Sequence, residues 1–301
     1  VWGDRIMNIH GIIPPVATPL RPDEELDLPR FRSFLDHLID SGVHALFVLG
    51  TNSEFYAFDD TEKQTIVATA LEHVRNRVPV WVGTGAETTR EVLRLTRMAE
   101  REWAAGVSVI TPYFILPNQN ELHDHYARIA ESTSLPVILY NNPSTCGGLS
   151  IGVDTLARLS RIGNIRGVKD SSGDLQNTCE YIRVAPPEFS VLMGRDTLLF
   201  PALMMGVQGA VPATANIAPA LLVKIYEAFR RGDLEASKAA QLQLNPLRLA
   251  LTLCTPPGAV KAALKLLGTP IGPCRSPIAD LAPDKVSKME AALRAAGLLD
   301  N

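Results

Sequence analysis

From Gly11 onward, short apolar runs alternate with segments whose apolar residues recur at helical spacing. The runs Gly11–Thr18, Ala45–Leu49, Val78–Gly83, Val107–Thr111, Val137–Tyr140, Ile165–Lys169, Ser190–Gly194 and Gly209–Val211 predict strands. The periodic segments between them, among them Leu28–Ile39, Glu62–Val74, Thr88–Trp103, Glu121–Glu131, Val153–Leu159 and Leu221–Phe229, predict helices. Strand ends recur roughly every 18 to 35 residues, the step at which about 250 residues make eight βα units. Strands that are continuously apolar rather than alternating belong in a parallel sheet covered on both faces. Eight of them, rather than five or six, predict closure. The expected class is therefore α/β, a (β/α)8 TIM barrel over residues 8–231. Residues 232–301 read as helices over Leu234–Leu253, Gly258–Leu267 and Pro283–Leu298. No low-complexity linker precedes them, so they predict a C-terminal helical extension rather than a separate domain.

Composition narrows the partners. The chain is 46% hydrophobic and 20% charged, as expected of a globular protein with a sizeable core. A formal net charge of -3 gives no electrostatic footprint for nucleic acid or an anionic membrane. No run approaches the ~18 apolar residues of a membrane span. The opening Val1-Trp2-Gly3-Asp4-Arg5-Ile6 lacks the apolar core of a signal peptide, and Met7 is the expected natural start. Cys146, Cys179, Cys254 and Cys274 are scattered without a C-x-x-C pair, which predicts free thiols and a cytoplasmic protein. His123 and His125 lie two apart on a predicted helix, so they face different directions and read as solvated residues, not metal ligands. Neither a metal nor an organic cofactor is expected.

One lysine stands apart. Of the eight lysines, seven lie in helical segments read as polar, and Lys169 alone ends a strand, in Gly167-Val168-Lys169-Asp170 before the turn chemistry of Ser171 to Asp174. Lysine, unlike arginine, can give up its proton and attack a carbonyl carbon to form a Schiff base. In a closed parallel barrel, chemistry collects at the carboxyl ends of the strands. Those ends carry Gly50-Thr51-Asn52-Ser53-Glu54, Thr111-Pro112-Tyr113-Phe114, Tyr140-Asn141-Asn142-Pro143, Lys169 and Gly194-Arg195-Asp196. The Thr51/Asn52 turn offers a hydroxyl, an amide and backbone N–H groups suited to a small carboxylate. Tyr140 can shuttle protons for a lysine. Arg195 and Asp196 offer a cation for a distal carboxylate and an acceptor for hydroxyls, although Asp196 also suits the cap of a helix starting at Thr197.

G-T-N-S-E at 50–54, T-P-Y at 111–113, Y-N-x-P at 140–143, G-V-K-D at 167–170 and G-P-C-R-S-P at 272–277 resemble the dihydrodipicolinate synthase/N-acetylneuraminate lyase superfamily, from Gly11 to Leu299. The resemblance implies a homotetrameric barrel in which a lysine condenses with pyruvate or another 2-oxo acid. It implies Lys169 as nucleophile, Tyr140 as proton shuttle, Thr51 as a further catalytic residue and, with Asn52, as carboxylate cradle, and Gly194 and Val211 beside the imine. Two positions depart from the pattern. Thr145 stands where synthases carry an arginine for aspartate semialdehyde, and Phe114 stands where a relay tyrosine is usual. Asn52 and the C-terminal motif look nearer the 4-hydroxy-2-oxoglutarate and 2-keto-3-deoxy-sugar-acid aldolases. The expected activity is thus cleavage of a 2-oxo acid to pyruvate and an aldehyde. Condensation of the dihydrodipicolinate synthase type, or a dehydratase using the same imine, is the alternative. A silent sensor or scaffold and a metal-dependent barrel lyase rank lower.

Overall fold

The computed structural model describes residues 9–300; Val1 to Ile6 and Met7 lie outside the described residues. Eight strands hydrogen-bond in the order β1-β8-β7-β6-β5-β4-β3-β2. They are β1 (Gly11–Ile12), β2 (Leu46–Val48), β3 (Val80–Gly83), β4 (Gly106–Ile110), β5 (Val137–Asn141), β6 (Ile165–Asp170), β7 (Ser190–Met193) and β8 (Gly209–Ala210). The chain just after β1 returns to β2: Pro15 bridges Phe47 in parallel, and Val16 N donates to Phe47 O at 2.8 Å. The fold is the (β/α)8 barrel class that the alternating pattern predicts, followed by further C-terminal helices.

The chain divides into two compact units among the described residues, one of 9–11 with Pro79–Val211 and one of Ile12–Val78 with 212–300. In the first unit, β3 to β8 pair in parallel. Three of the helices between them start where the sequence supplies a side-chain cap. Thr88 accepts from Glu91 N to open α3 (Thr89–Arg101), and Asn118 with Glu121 makes a capping box for α4 (Gln119–Glu131). After α5 (Val153–Leu159), Asp174 caps α6 (Leu175–Val184). The last helix of this unit, α7 (Leu199–Met205), ends at Gly206, whose φ of 106° only glycine adopts cheaply.

The second unit holds β2 with α1 (Leu28–Asp40) and α2 (Asp60–Val74), the latter opened by an Asp59/Glu62 capping box. It also holds α8 (Pro219–Arg230), α9 (Leu234–Ala250), α10 (Gly258–Leu266) and α11 (Val286–Ala295). Helix α9 packs between α8 and α11, burying Ala240, Leu244 and Leu247. No helix among the described residues is long and apolar enough to cross a membrane.

Candidate active site

Parallel pairing places Tyr140 of β5 beside Lys169 of β6, and the next residues, Asn141 and Asp170, beside each other. Side chains alternate along a strand, so Tyr140 and Lys169 share one face and Asn141 and Asp170 the other. On the first face the Lys169 ammonium stands 4.0 Å from the centroid of the Tyr140 ring. Both residues are buried. A cation over an aromatic face is held by the ring's quadrupole, which fixes the amine above the phenol without a covalent tie.

The phenol has a partner that no motif announced. Asn142 Nδ2 donates to Tyr140 Oη at 3.1 Å, and Ser144 Oγ donates to Asn142 Oδ1 at 2.8 Å. Thr145 turns back on the chain, its hydroxyl donating to Asn142 O.

On the opposite face, the Asp170 carboxylate accepts four hydrogen bonds. Asn141 Nδ2 and Ser172 N reach Oδ1, each at 3.0 Å; Asn177 Nδ2 at 3.2 Å and Thr178 Oγ1 at 2.8 Å reach Oδ2. Asn141 in turn accepts from Ser150 Oγ and Ile151 N. The Lys169-bearing strand is thus tied to β5, to its own loop and to the first turn of α6.

Gly194 N donates to Asp170 O at 2.7 Å. A Cβ there would lie 1.9 Å from Ser171 Oγ and 2.9 Å from Asp170 O, so close packing of β7 on the β6 loop by itself demands glycine. Val211 is buried, its N–H donating to Met193 O. Arg195 lies against Gly173, where an added Cβ would meet its Nε at 3.2 Å. Asp196 is not the cap that its position suggested: Arg195 precedes the short 3-10 turn Asp196–Leu198, and Leu198 is the cap residue of α7. Its side chain is buried. Phe114 is 88% exposed with a left-handed φ of 75°.

Thr51 and Asn52 belong to the second unit, on a 3-10 turn Thr51–Ser53. Ser53 holds the turn from both sides: its hydroxyl donates to Val16 O and accepts from Gly50 N, while its carbonyl accepts from Thr18 Oγ1. Thr51 Oγ1 is buried with no hydrogen-bond partner among the described residues. Glu54 follows with a left-handed φ of 60°, fully buried and paired with Lys261 Nζ at 2.7 Å. Lys261 therefore does not sit in the polar helical setting its sequence context implied. Arg275 closes this cluster. Its N–H donates to Glu54 Oε2, its guanidinium pairs with both Glu62 oxygens at 2.8 and 2.7 Å, and it lies 4.8 Å from the Phe58 ring centroid. Burial, then the Glu54 carboxylate, push the Cys274 thiol up to about 12, which disfavours the thiolate.

His125 also departs from its expected place. It is buried, its Nδ1 2.9 Å from Thr89 Oγ1, and desolvation followed by Arg128 lowers its pKa to about 4. His123 is half-buried, its Nδ1 3.2 Å from Asp124 Oδ1, and not the solvated side chain expected. No group of acidic, histidine or cysteine side chains among the described residues could hold a metal ion.

The model of the dihydrodipicolinate synthetase family matches residues 8–296. The chain belongs to that family. It is an enzyme of a family of pyruvate-dependent lyases. Among relatives of this family, an uncharacterized DapA-like lyase of Halobacterium salinarum is 38% identical over 293 residues, covering 97% of this chain and 96% of its own. A 4-hydroxy-tetrahydrodipicolinate synthase of Methanopyrus kandleri is 35% identical over 294 residues, 97% of this chain and 98% of its own. The dihydrodipicolinate synthase structure from Thermotoga maritima superposes with a TM-score of 0.94 at 32% identity, covering 97% of this chain and 100% of its own. YagE from E. coli K12, a prophage protein of the dihydrodipicolinic acid synthase family solved in complex with pyruvate, gives 0.93 at 32% identity, covering 97% and 99%. The relatives named for an activity are mostly synthases, so the family is shown while the aldolase branch expected from the sequence is not.

Proposed function

We propose that Lys169 forms a Schiff base with pyruvate and that the enzyme makes or breaks the bond between pyruvate C3 and an aldehyde. The observation that carries this reading is the buried pair on one strand face, the Lys169 amine 4.0 Å from the Tyr140 ring centroid. The Lys169 ammonium first gives up a proton, and the free amine attacks the keto carbon to give a carbinolamine. Tyr140 donates a proton to the departing hydroxyl, water leaves, and the nitrogen lone pair completes the iminium. The tyrosinate then takes a proton from C3, and the C–H pair becomes the enamine double bond. The enamine carbon adds to an aldehyde in synthesis and is released from one in cleavage. Hydrolysis frees the lysine.

Thr51 and Asn52 take the substrate carboxylate in this proposal, a role supported by the buried, unpartnered Thr51 hydroxyl. Gly194 and Val211 are assigned to substrate binding on family resemblance, and Arg195 and Asp196 on their charge and their place just after β7. A homotetramer and a cytoplasmic location belong to the same proposal.

The names of the relatives favour condensation of the synthase type, the reading placed second by sequence alone. Thr145 favours the other, cleavage of 4-hydroxy-2-oxoglutarate or a 2-keto-3-deoxy sugar acid, because its hydroxyl cannot pair with a second carboxylate as arginine does. Steady-state assays of pyruvate with aspartate semialdehyde, against pyruvate release from the two cleavage substrates, test the reading. Turnover of pyruvate in either direction, lost in Lys169→Ala, is expected. Activity that survives Lys169→Ala contradicts it.

A further inference from the structure

Asn142 is only the variable residue of the Y-N-x-P motif, yet its side chain reaches the centre of the chemistry. It lies two residues beyond Tyr140, just past the end of β5 at the start of a 3-10 turn, and it is buried. Its amide donates to Tyr140 Oη at 3.1 Å. The Ser144 hydroxyl, donating to the amide oxygen at 2.8 Å, turns the N–H end toward the phenol. Across the chain, the position where a relay tyrosine is expected holds Phe114, apolar and 88% exposed.

We propose that Asn142 is a positioning residue for proton transfer at the Lys169 imine, acting through Tyr140. The inference rests on the Lys169 reading given above. When Tyr140 passes its proton to the carbinolamine hydroxyl, the C–O bond breaks, water departs, and negative charge appears on Oη. When that oxygen takes the C3 proton, the C2=N pair returns to nitrogen and the charge is gone. A hydrogen bond to an ionised oxygen is roughly twice as strong as one to a neutral oxygen. The Asn142 N–H therefore holds the phenol loosely at rest and firmly as charge develops, which speeds the transfer rather than tightening substrate binding. The residue just past the end of β5 thus supplies within the chain a polar partner that Phe114 cannot.

The test uses pyruvate in D2O with the full-length enzyme and two readouts. Loss of the methyl proton signal reports enamine formation, and borohydride trapping reports the adduct at Lys169. For Asn142→Leu we expect the adduct to persist and the saturated exchange rate to fall roughly ten- to hundredfold, with little change in the pyruvate KM. Asn142→Asp, which accepts but does not donate, should fall as far. The double variant Tyr140→Phe/Asn142→Leu should be no slower than Tyr140→Phe alone, since the second residue acts through the first. Ser144→Ala, at an exposed position, removes the group that orients the amide and should give a smaller loss in the same direction even if the buried variants fold poorly. The proposal is overturned if Asn142→Leu raises KM with the saturated rate unchanged, if the two single losses multiply in the double variant, or if Asn142→Asp keeps full rate. No adduct and no exchange in the wild type would remove the Lys169 reading and this one together. An adduct with undiminished exchange in Asn142→Leu and Ser144→Ala removes this one alone.

Discussion

Asn141 donates its side-chain amide to Asp170 at 3.0 Å, directly behind the Tyr140–Lys169 pair and one residue along each strand. The bond crosses from β5 to β6, so it fixes the register that sets the lysine beside the phenol. A one-residue slip would turn both reacting side chains to the wrong face.

Asp170→Asn keeps the shape but replaces one of two oxygens, each facing two donors, with an amide nitrogen that can only donate. The expected cost is about 2–3 kcal/mol of stability, read as a lower urea midpoint with an unchanged slope. Turnover should fall through kcat more than through KM, because register sets the Tyr140–Lys169 pair and not the Thr51/Asn52 turn proposed to hold the carboxylate. A variant with wild-type midpoint and kcat would show that the Asn141–Asp170 link sets neither.

The Glu54–Lys261 pair makes a sign-dependent prediction. Removing one partner leaves a buried charge uncompensated, so Lys261→Met should cost about 3–5 kcal/mol. Adding Glu54→Gln to that variant should recover most of the loss, since the remaining group is then neutral. Equilibrium unfolding of the two variants decides it; a double variant less stable than Lys261→Met would mean that the hydrogen bond Glu54 accepts from Arg275 N outweighs the cost of its buried charge.

His125 predicts an acid-sensitive contribution to folding. Its folded pKa lies near 4 against an ordinary 6.5, so its stabilising share is complete above pH 6.5 and is lost as pH falls toward 4. Between pH 7 and pH 5 that loss amounts to about 2 kcal/mol. His125→Leu should flatten the unfolding free energy over this interval relative to wild type. Parallel curves for the two proteins would place the group's titration elsewhere.

Gly194→Ala should destabilise by about 1–3 kcal/mol and impair activity, because the added methyl meets the Ser171 hydroxyl and the Asp170 carbonyl behind the lysine. Partial restoration in Gly194→Ala/Ser171→Gly would identify the clash as the cause. No recovery in that double variant would place the cost at the Asp170 backbone instead.

The βα alternation was legible because a strand that is apolar on both faces and a helix with one apolar stripe carry different periods. The capping boxes at Asp59/Glu62 and Asn118/Glu121 agree with those boundaries. Strand β1 is shorter than its apolar run Gly11–Thr18 suggested, since Pro14 and Pro15 have no N–H for the ladder and the Ala17 N–H goes to the Asn216 side chain at 2.9 Å. Lys169 could be picked out because a strand-end lysine is conspicuous in a chain that prefers arginine. His125 and Lys261 were misread for one reason. Each sits on a helix whose partner comes from distant sequence, Thr89 in one case and Glu54 in the other. Asn142 left no signal at all, because the hydrogen bond that gives it meaning depends on a side-chain direction that one letter in Y-N-x-P does not specify.

The measurement that bears most directly on the account is peptide mapping by mass spectrometry after pyruvate and borohydride treatment. The account predicts a reduced pyruvyl group on the peptide bearing Lys169, absent from Lys169→Ala and from enzyme treated with borohydride alone. Modification at Lys261 or another lysine, or none with pyruvate or any 2-oxo acid, would contradict it.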